Sequence, residues 1–267
     1  MRRIRLVVSD LDGTLLSRSG RLGGQTRETL AEVRRRGVHF SIATERLFHH
    51  ALPIAAELHL SDPLICCDGA LTRNVCGEPI ERELFLPPET AQEAFAQLFF
   101  YADSIFLFGR DVIYASPEAD EAEVAPWGSR VIRFDPRAEL PDNLQAILAF
   151  GQRDLLGQAA RLLHEAIPGI SATIAEGMRQ GSAPLLVRAK GADKGAALSA
   201  LRARLSLRPD EVMVFGGCGG DLPMFREAGC SVAPRNAPAA VRRAASYVSA
   251  YTSDEEFVAR ELERAIL

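Results

Sequence analysis

Residues 5–14 read RLVVSDLDGT, and this stretch decides the fold class. The apolar, β-branched run from Arg5 to Val8 predicts a buried strand, because strands covered on both faces are apolar along their whole length. Asp10 and Asp12 stand two positions apart where that strand ends, so both carboxylates can point towards one site. One could attack as a nucleophile while the other exchanges protons with the leaving group. The simpler alternative is an ordinary Asp-Gly turn.

Around this loop, helical and strand patterns alternate. Helices predicted at 26–36 and 47–58 alternate with strands at 38–43 and 64–67, and a hairpin is predicted at 71–85. The alternation returns after residue 185, with predicted strands at 185–187, 212–215, 231–233 and 247–249 and helices between them. Such alternation with short joins predicts an α/β fold with a doubly wound, mostly parallel sheet, which binds ligands at the carboxyl ends of its strands.

The middle of the chain follows a different pattern. Pro87 and Pro88 interrupt the alternation, and short helices and strands with turn-rich joins continue to Pro184 without a catalytic motif. We therefore predict an α/β domain inserted at residues 87–184, and a core domain formed by residues 1–86 and 185–267.

The composition of the chain disfavours some classes of binding partner. A chain of 267 residues with 47% hydrophobic residues can bury a sizeable core. Its formal net charge of -4 disfavours nucleic acid, and no apolar run approaches the roughly 18 residues of a membrane span. The five cysteines lack the paired spacing of a zinc site, and no disulfide framework is indicated. We expect a cytoplasmic protein that acts on small molecules, without nucleic acid or membrane partners.

The string DLDGT directly after a strand resembles the first motif of the haloacid dehalogenase superfamily. The arrangement of the whole chain is similar to the Cof-type sugar-phosphatase branch of that superfamily. This resemblance implies a Rossmann-like core with an α/β cap inserted after the third core strand. It also implies that Asp10 is the nucleophile, that Asp12 is the general acid and base, and that both contribute to a Mg²⁺ site.

Two further stretches match residues that bind the phosphoryl group. Thr44, after the predicted strand HFSIA, matches the hydroxyl of the second motif, although a threonine here could simply cap the next helix. The family usually continues with Gly-Arg, whereas this chain has Glu45 and Arg46, so the resemblance makes Arg46 a substrate-binding candidate. Asn236, in the segment RNA, matches a phosphate-site asparagine of the Cof type.

Lysine is rare in this chain, which uses arginine for nearly all its basic residues. The two lysines, Lys190 and Lys194, lie in one segment, AKGADK. Lys194 matches the third-motif lysine, which by the resemblance neutralises both the nucleophile and the phosphoryl oxygens. A lone lysine is more often solvated, and we assign Lys190 to the surface.

The fourth motif departs from the family pattern. The family has Gly-Asp-x-x-Asn-Asp after its fourth core strand, whereas residues 216–221 read GGCGGD. Gly217 therefore replaces the metal-binding aspartate and Gly220 replaces the asparagine. Asp221 survives, and we predict it as a metal ligand, with helix N-capping as the alternative.

These residues lead to two hypotheses about function. The first is a Mg²⁺-dependent phosphatase that hydrolyses a small phosphorylated metabolite, such as a sugar phosphate, through an aspartyl-phosphate. The alternative is a non-hydrolytic binding or regulatory protein with a degraded metal site, in which the glycine-rich turn holds a phosphate through backbone amides.

Overall fold

The computed structural model describes residues 4–77, 79–124, 130–174 and 184–267. The strands are β1 Leu6–Ser9, β2 His39–Ile42, β3 Leu64–Cys66, β4 Leu71–Arg73, β5 Ile80–Glu83, β6 Ser104–Phe108, β7 Ile113–Ala115, β8 Val131–Arg133, β9 Ala146–Phe150, β10 Ile170–Ile174, β11 Leu185–Ala189, β12 Val212–Phe215, β13 Cys230–Ala233 and β14 Tyr247–Val248. The helices are α1 Gly24–Arg35, α2 Phe48–Glu57, α3 Pro88–Leu98, α4 Arg153–Ala166, α5 Lys194–Arg204, α6 Leu222–Glu227, α7 Ala239–Ala244 and α8 Phe257–Ile266. None of the helices in these ranges is long and apolar enough to span a bilayer.

The chain forms two compact units. The first contains Met1–Glu45, Ala51–Arg82 and Asp193–Leu267, and the second contains Arg46–His50 and Glu83–Ala192. The inserted segment therefore extends beyond the predicted limits of 87 and 184 at both ends. Its larger extension is at the carboxyl end, where eight residues predicted for the core, 185–192, belong to the second unit.

A parallel sheet organises the first unit. In the described residues its five strands lie in the order β14-β13-β12-β1-β2, and every neighbouring pair is parallel. All four residues of β1 are buried, as expected for a strand covered on both faces. The predicted α/β fold with a doubly wound parallel sheet is confirmed.

The strand order creates a natural binding edge. β2 lies on one side of β1, whereas β12 and the strands after it lie on the other side, so the strand order reverses at β1. Ser9 is level with Phe215, so the loops after β1 and β12 leave the sheet side by side. Crevices at such a reversal of strand order are where open α/β sheets bind ligands.

The strand predicted at 64–67 lies beside the carboxyl end of β2, but it is not one of the five strands of this sheet. A single parallel bridge links Ala43 to Ile65, and β3 otherwise pairs with β4 in a small β3-β4-β5 sheet. The hairpin predicted at 71–85 corresponds to β4 and β5.

The second unit has its own sheet and core. Six strands of its described part lie in the order β10-β11-β9-β6-β7-β8, and all neighbours are antiparallel except β7 and β8. Helices α3 and α4 pack against this sheet in one apolar cluster that includes Phe95, Leu107 and Leu163. The strand predicted at 185–187 for the core is β11, which pairs with β9 and β10 here. That assignment was wrong because an apolar run such as LLV reads alike in either sheet.

Candidate active site

The loop after β1 fixes the Asp10 carboxylate at the carboxyl edge of the parallel sheet. The Asp10 backbone N–H donates to the carbonyl of Phe215 over 2.9 Å, which continues the ladder between β1 and β12. Gly13 adopts a φ of 69°, a conformation that favours glycine, and the chain turns back there. The turn brings Thr14 Oγ1 within 2.8 Å of Asp10 Oδ2, to which it donates a hydrogen bond. Asp10 is therefore held in one orientation by its own loop.

Lys194 is the centre of a buried charge cluster. It is the first residue of α5, whose N-terminus is capped by Asp193 through a 2.9 Å hydrogen bond from the Ala196 N–H. The side chain has 0% exposure, and its Nζ donates to Asp10 Oδ1 and to Asp221 Oδ1, each at 2.8 Å. Full burial of a lysine is rare unless it is paired, and here one ammonium serves two carboxylates.

Asp221 connects this cluster to the loop after β12. Its Oδ2 accepts hydrogen bonds from the backbone N–H groups of Gly217 at 2.8 Å and Cys218 at 3.0 Å. A side chain at Gly216 would collide with it, since a Cβ there would lie 2.5 Å from that of Asp221. The carboxylate thus receives three N–H donors. Asp221 makes no side-chain hydrogen bond that caps α6, and its role as a metal ligand stays a prediction.

The charges of the cluster perturb one another. Burial, reinforced by the negative charge of Asp221, raises the pKa of Asp10 from 3.8 to about 7, although Lys194 opposes the shift. Burial alone would lower the pKa of Lys194, but the carboxylates of Asp10 and Asp221 raise it well above its ordinary value. The two pKa shifts are consistent with each other. The Lys194 ammonium is stabilised by two carboxylates, whereas Asp10 has to share that one ammonium with Asp221.

Comparison with known proteins identifies the family. A family model described as haloacid dehalogenase-like hydrolase matches residues 7–262. The chain belongs to this family. The resemblance inferred from the DLDGT string is thereby confirmed, and the protein is a haloacid dehalogenase-like hydrolase.

Relatives of this hydrolase match it over most of their length. An HMP-PP phosphatase of Escherichia fergusonii is 30% identical over 235 residues, covering 87% of this chain and 85% of the relative. A 5-amino-6-(5-phospho-D-ribitylamino)uracil phosphatase of Bacillus subtilis is 26% identical and covers 99% of this chain and 96% of its own. A crystal structure of a haloacid dehalogenase-like hydrolase from Bacteroides thetaiotaomicron superposes with a TM-score of 0.85 at 25% identity, covering 98% of this chain and 99% of that one.

The remaining predicted site residues lie in different environments. Asp12 is exposed in the loop beside the buried Asp10, so the two carboxylates differ as a division of roles requires. Thr44 is buried at the end of β2, and its N–H donates to the Ile65 carbonyl over 2.8 Å. Asn236 is exposed in the turn after β13, and among the described contacts no hydrogen bond joins it to the Asp10 cluster. Arg46 groups with the second unit.

A turn after β3, formed by Cys67–Gly69, was not predicted from the sequence. Its three residues all adopt positive φ values, of 50°, 51° and 92°. A Cβ on Gly69 would collide with the carbonyl of Asp193, so the absence of a side chain lets this turn touch the start of α5, where Lys194 lies. An Asp-Gly pair directly after a predicted strand, as in the Asp10 loop, was the available signal.

The raised pKa of Asp10 predicts how stability depends on pH in the metal-free hydrolase. The folded pKa of about 7 exceeds the unfolded value of 3.8, so the contribution of Asp10 to stability is complete below pH ~4 and is lost as the pH rises to ~7. Asp10→Asn should therefore raise the free energy of unfolding at pH ~8 by about 1–3 kcal/mol. This gain is smaller than the free energy equivalent to the whole pKa shift, because an amide binds Lys194 more weakly than a carboxylate does.

Urea unfolding with a chelator present, across this pH range, measures the effect. The difference between Asp10→Asn and the wild type should be small near pH ~4 and should grow towards pH ~7. A difference that does not change with pH would contradict the assignment of the titration to Asp10.

Proposed function

We propose that this hydrolase is a Mg²⁺-dependent phosphatase that removes the phosphoryl group from a small phosphorylated metabolite. The observation that carries the proposal is the Asp10 carboxylate, held between Lys194 and Thr14 at the carboxyl edge of the sheet. Such a carboxylate has the fixed orientation and the adjacent cation that an attack on phosphorus requires.

Asp10 and Asp12 divide the reaction into two displacements. A carboxylate oxygen of Asp10 attacks phosphorus and the phosphate ester bond breaks, while Asp12 donates a proton to the leaving oxygen. The product is an alcohol and an aspartyl-phosphate on Asp10. Asp12, now a base, takes a proton from water, whose oxygen attacks the aspartyl-phosphate and releases inorganic phosphate. The exposure of Asp12 suits a group that must meet both the leaving group and water.

Other side chains hold the reactants. Lys194 offsets the negative charges of Asp10 and the phosphoryl group, which would otherwise repel each other. Thr14 orients Asp10 through their 2.8 Å hydrogen bond. We assign Thr44, Arg46 and Asn236 to binding of the phosphoryl group or the substrate.

The residues present fit Mg²⁺ as a weakly held cofactor. The Asp10 carboxylate and the Asp12 main-chain carbonyl belong to one loop and are hard oxygen donors, which Mg²⁺ prefers. Within the described residues, no three His, Cys, Asp or Glu side chains are grouped to hold a metal ion. A site with few protein carboxylates relies on water and substrate oxygens. When bound, Mg²⁺ supplies charge neutralisation at the phosphoryl oxygens.

The relatives support the class of substrate. The Escherichia fergusonii and Bacillus subtilis proteins are both named as phosphatases of small phosphorylated compounds. We extend that class to this chain, including sugar phosphates, and we propose that the second unit acts as a cap that selects the substrate.

The non-hydrolytic alternative relies on the glycine-rich turn at residues 216–220. For that role its backbone N–H groups would have to face a phosphate. Two of them, of Gly217 and Cys218, instead donate to Asp221. This observation favours the phosphatase.

Hydrolysis of p-nitrophenyl phosphate at high enzyme concentration tests the proposal. We expect turnover that increases with Mg²⁺ and falls to background with a chelator. Binding of a phosphate ester without turnover at any Mg²⁺ concentration would instead support the non-hydrolytic protein.

A further inference from the structure

A cavity lies at the amino edge of the parallel sheet, on the side away from Asp10. Its volume is about 780 Å³, within the range of cavities that hold small ligands. Its lining includes residues at or shortly before the beginnings of β1, β2, β13 and β14, namely Ile4, Val38, Cys230 and Tyr247. Because Ile4 and Asp10 flank β1, they are on the order of 20 Å apart at ~3.3 Å per residue. The cavity is therefore separate from the candidate active site.

The floor of this cavity is apolar. The side chains of Val38, Met213 and Val232 are buried there, and the end of α8 adds Ala265 and Ile266. An apolar floor binds the hydrocarbon or aromatic part of a ligand, since that part is removed from water when it is covered.

Both charged residues in the lining are arginines. Arg36 and Arg264 line the cavity, and no Asp or Glu does so within the part of the chain that the structure describes. The glutamates that pair with them, Glu32 at 3.1 Å and Glu261 at 2.9 Å, are not lining residues. The lining therefore presents positive charge to a ligand, and this charge is complementary to an anion.

Arg264 is held in a fixed position at this cavity. Its guanidinium carbon lies 4.4 Å from the centre of the Tyr247 ring, and Nε and Nη2 contact the same Glu261 oxygen at 3.0 Å and 2.9 Å. A guanidinium has N–H donors on three nitrogens, so one that is paired in this way can also donate to a second anion. Cys230 adds no opposing charge, because burial raises the pKa of its thiol.

We propose that this cavity is a second ligand site, which binds a small organic anion with its apolar body on the floor and its anionic group beside Arg264. The inference is independent of the proposed function, because the cavity shares no residue with the Asp10 cluster. A ligand bound here does not occupy the space in which a substrate would meet Asp10.

Fluorescence titration of the full chain with anilinonaphthalene sulfonate tests the proposal. This probe is an aromatic anion that binds accessible apolar surface. Phenylnaphthylamine, which has the same ring system without the sulfonate, is the neutral comparison. We expect the wild type to bind the sulfonate probe saturably at a single site.

Three variants locate that site. Arg264→Gln removes a positive charge, so it should weaken binding of the sulfonate probe by ~10-fold and change binding of the neutral probe by less than ~2-fold. Ala265→Trp places a large ring at the cavity, so it should weaken binding of both probes by at least ~10-fold. Ala240→Trp is the matched control, because Ala240 is also an exposed helical alanine but does not line the cavity, and it should bind both probes like the wild type.

The proposal is overturned if the wild type does not bind the sulfonate probe, or if Ala265→Trp binds it as well as Ala240→Trp does. Equal losses of both probes in a folded Arg264→Gln protein would also overturn it, since Arg264 would then only pack. Ala265→Trp leaves the pair between Arg264 and Glu261 in place, so it tests the site even where thermal unfolding shows Arg264→Gln to be unfolded. If the wild type sediments as a dimer that Ala265→Trp dissociates, the occupant is a second copy of the chain and the small-anion assignment is wrong.

Discussion

Lys194→Met is expected to lower the free energy of unfolding by about 3–5 kcal/mol and the turnover of p-nitrophenyl phosphate by at least ~100-fold. Methionine has a similar length but no charge, so Asp10 and Asp221 would remain buried without the ammonium that both contact at 2.8 Å. Removing one partner of a buried ion pair is costly because the desolvated charge left behind has no compensation.

Urea unfolding and steady-state kinetics measure the two effects. The matched control is Lys190→Met, which changes the other lysine of the chain at an exposed position and should alter neither quantity much. Asp10→Asn in the Lys194→Met background should recover part of the lost stability, because it removes one of the uncompensated carboxylates. A Lys194→Met protein as stable as Lys190→Met would show that the charge cluster does not form in solution.

Asp10→Asn is expected to reduce turnover by ~10⁴-fold or more, in the range found when a catalytic nucleophile is removed. The amide has nearly the shape of the carboxylate but cannot form an aspartyl-phosphate. Because the ionised Asp10 is disfavoured by burial, this variant should be folded and more stable than the wild type at neutral pH. Loss of activity with a gain of stability distinguishes a catalytic residue from a structural one.

Steady-state kinetics with saturating Mg²⁺, together with mass measurement of acid-quenched protein, provides the check. The wild type should carry a phosphoryl group after quenching and Asp10→Asn should not. Thr14→Val is an informative comparison, because it removes only the 2.8 Å hydrogen bond to Asp10 and should leave a measurable rate. Substantial turnover by Asp10→Asn would reject the aspartyl-phosphate mechanism.

Local patterns in the sequence were sufficient for the core of the fold. The run before Asp10 is apolar throughout, and this pattern predicted β1 to within one residue at each end. Alternating strand and helix patterns predicted the parallel sheet, since buried strands and amphipathic helices each repeat at their own period. Lys194 is conspicuous in the sequence because lysine is so rare in this chain.

Such local patterns do not predict which distant segments of the chain pair with each other. β11 is an apolar strand that either sheet could have accepted, and only its antiparallel partners β9 and β10 place it in the second unit. The Glu45 carboxylate also lies close to Gly220, in a different loop, and nothing in the sequence around either residue predicts this approach.

The parallel core, the Asp10 loop and the candidate lysine could be predicted from the sequence, because they depend on local backbone preference and on burial patterns that repeat along one element. The surroundings of Asp10, in contrast, depend on how distant segments pack together. Lys194 lies 184 positions from Asp10 and 27 from Asp221, yet its ammonium contacts both carboxylates. That cluster exists because parallel strands deliver their carboxyl ends to one edge, where side chains distant in the chain share a buried space and must balance one another's charge.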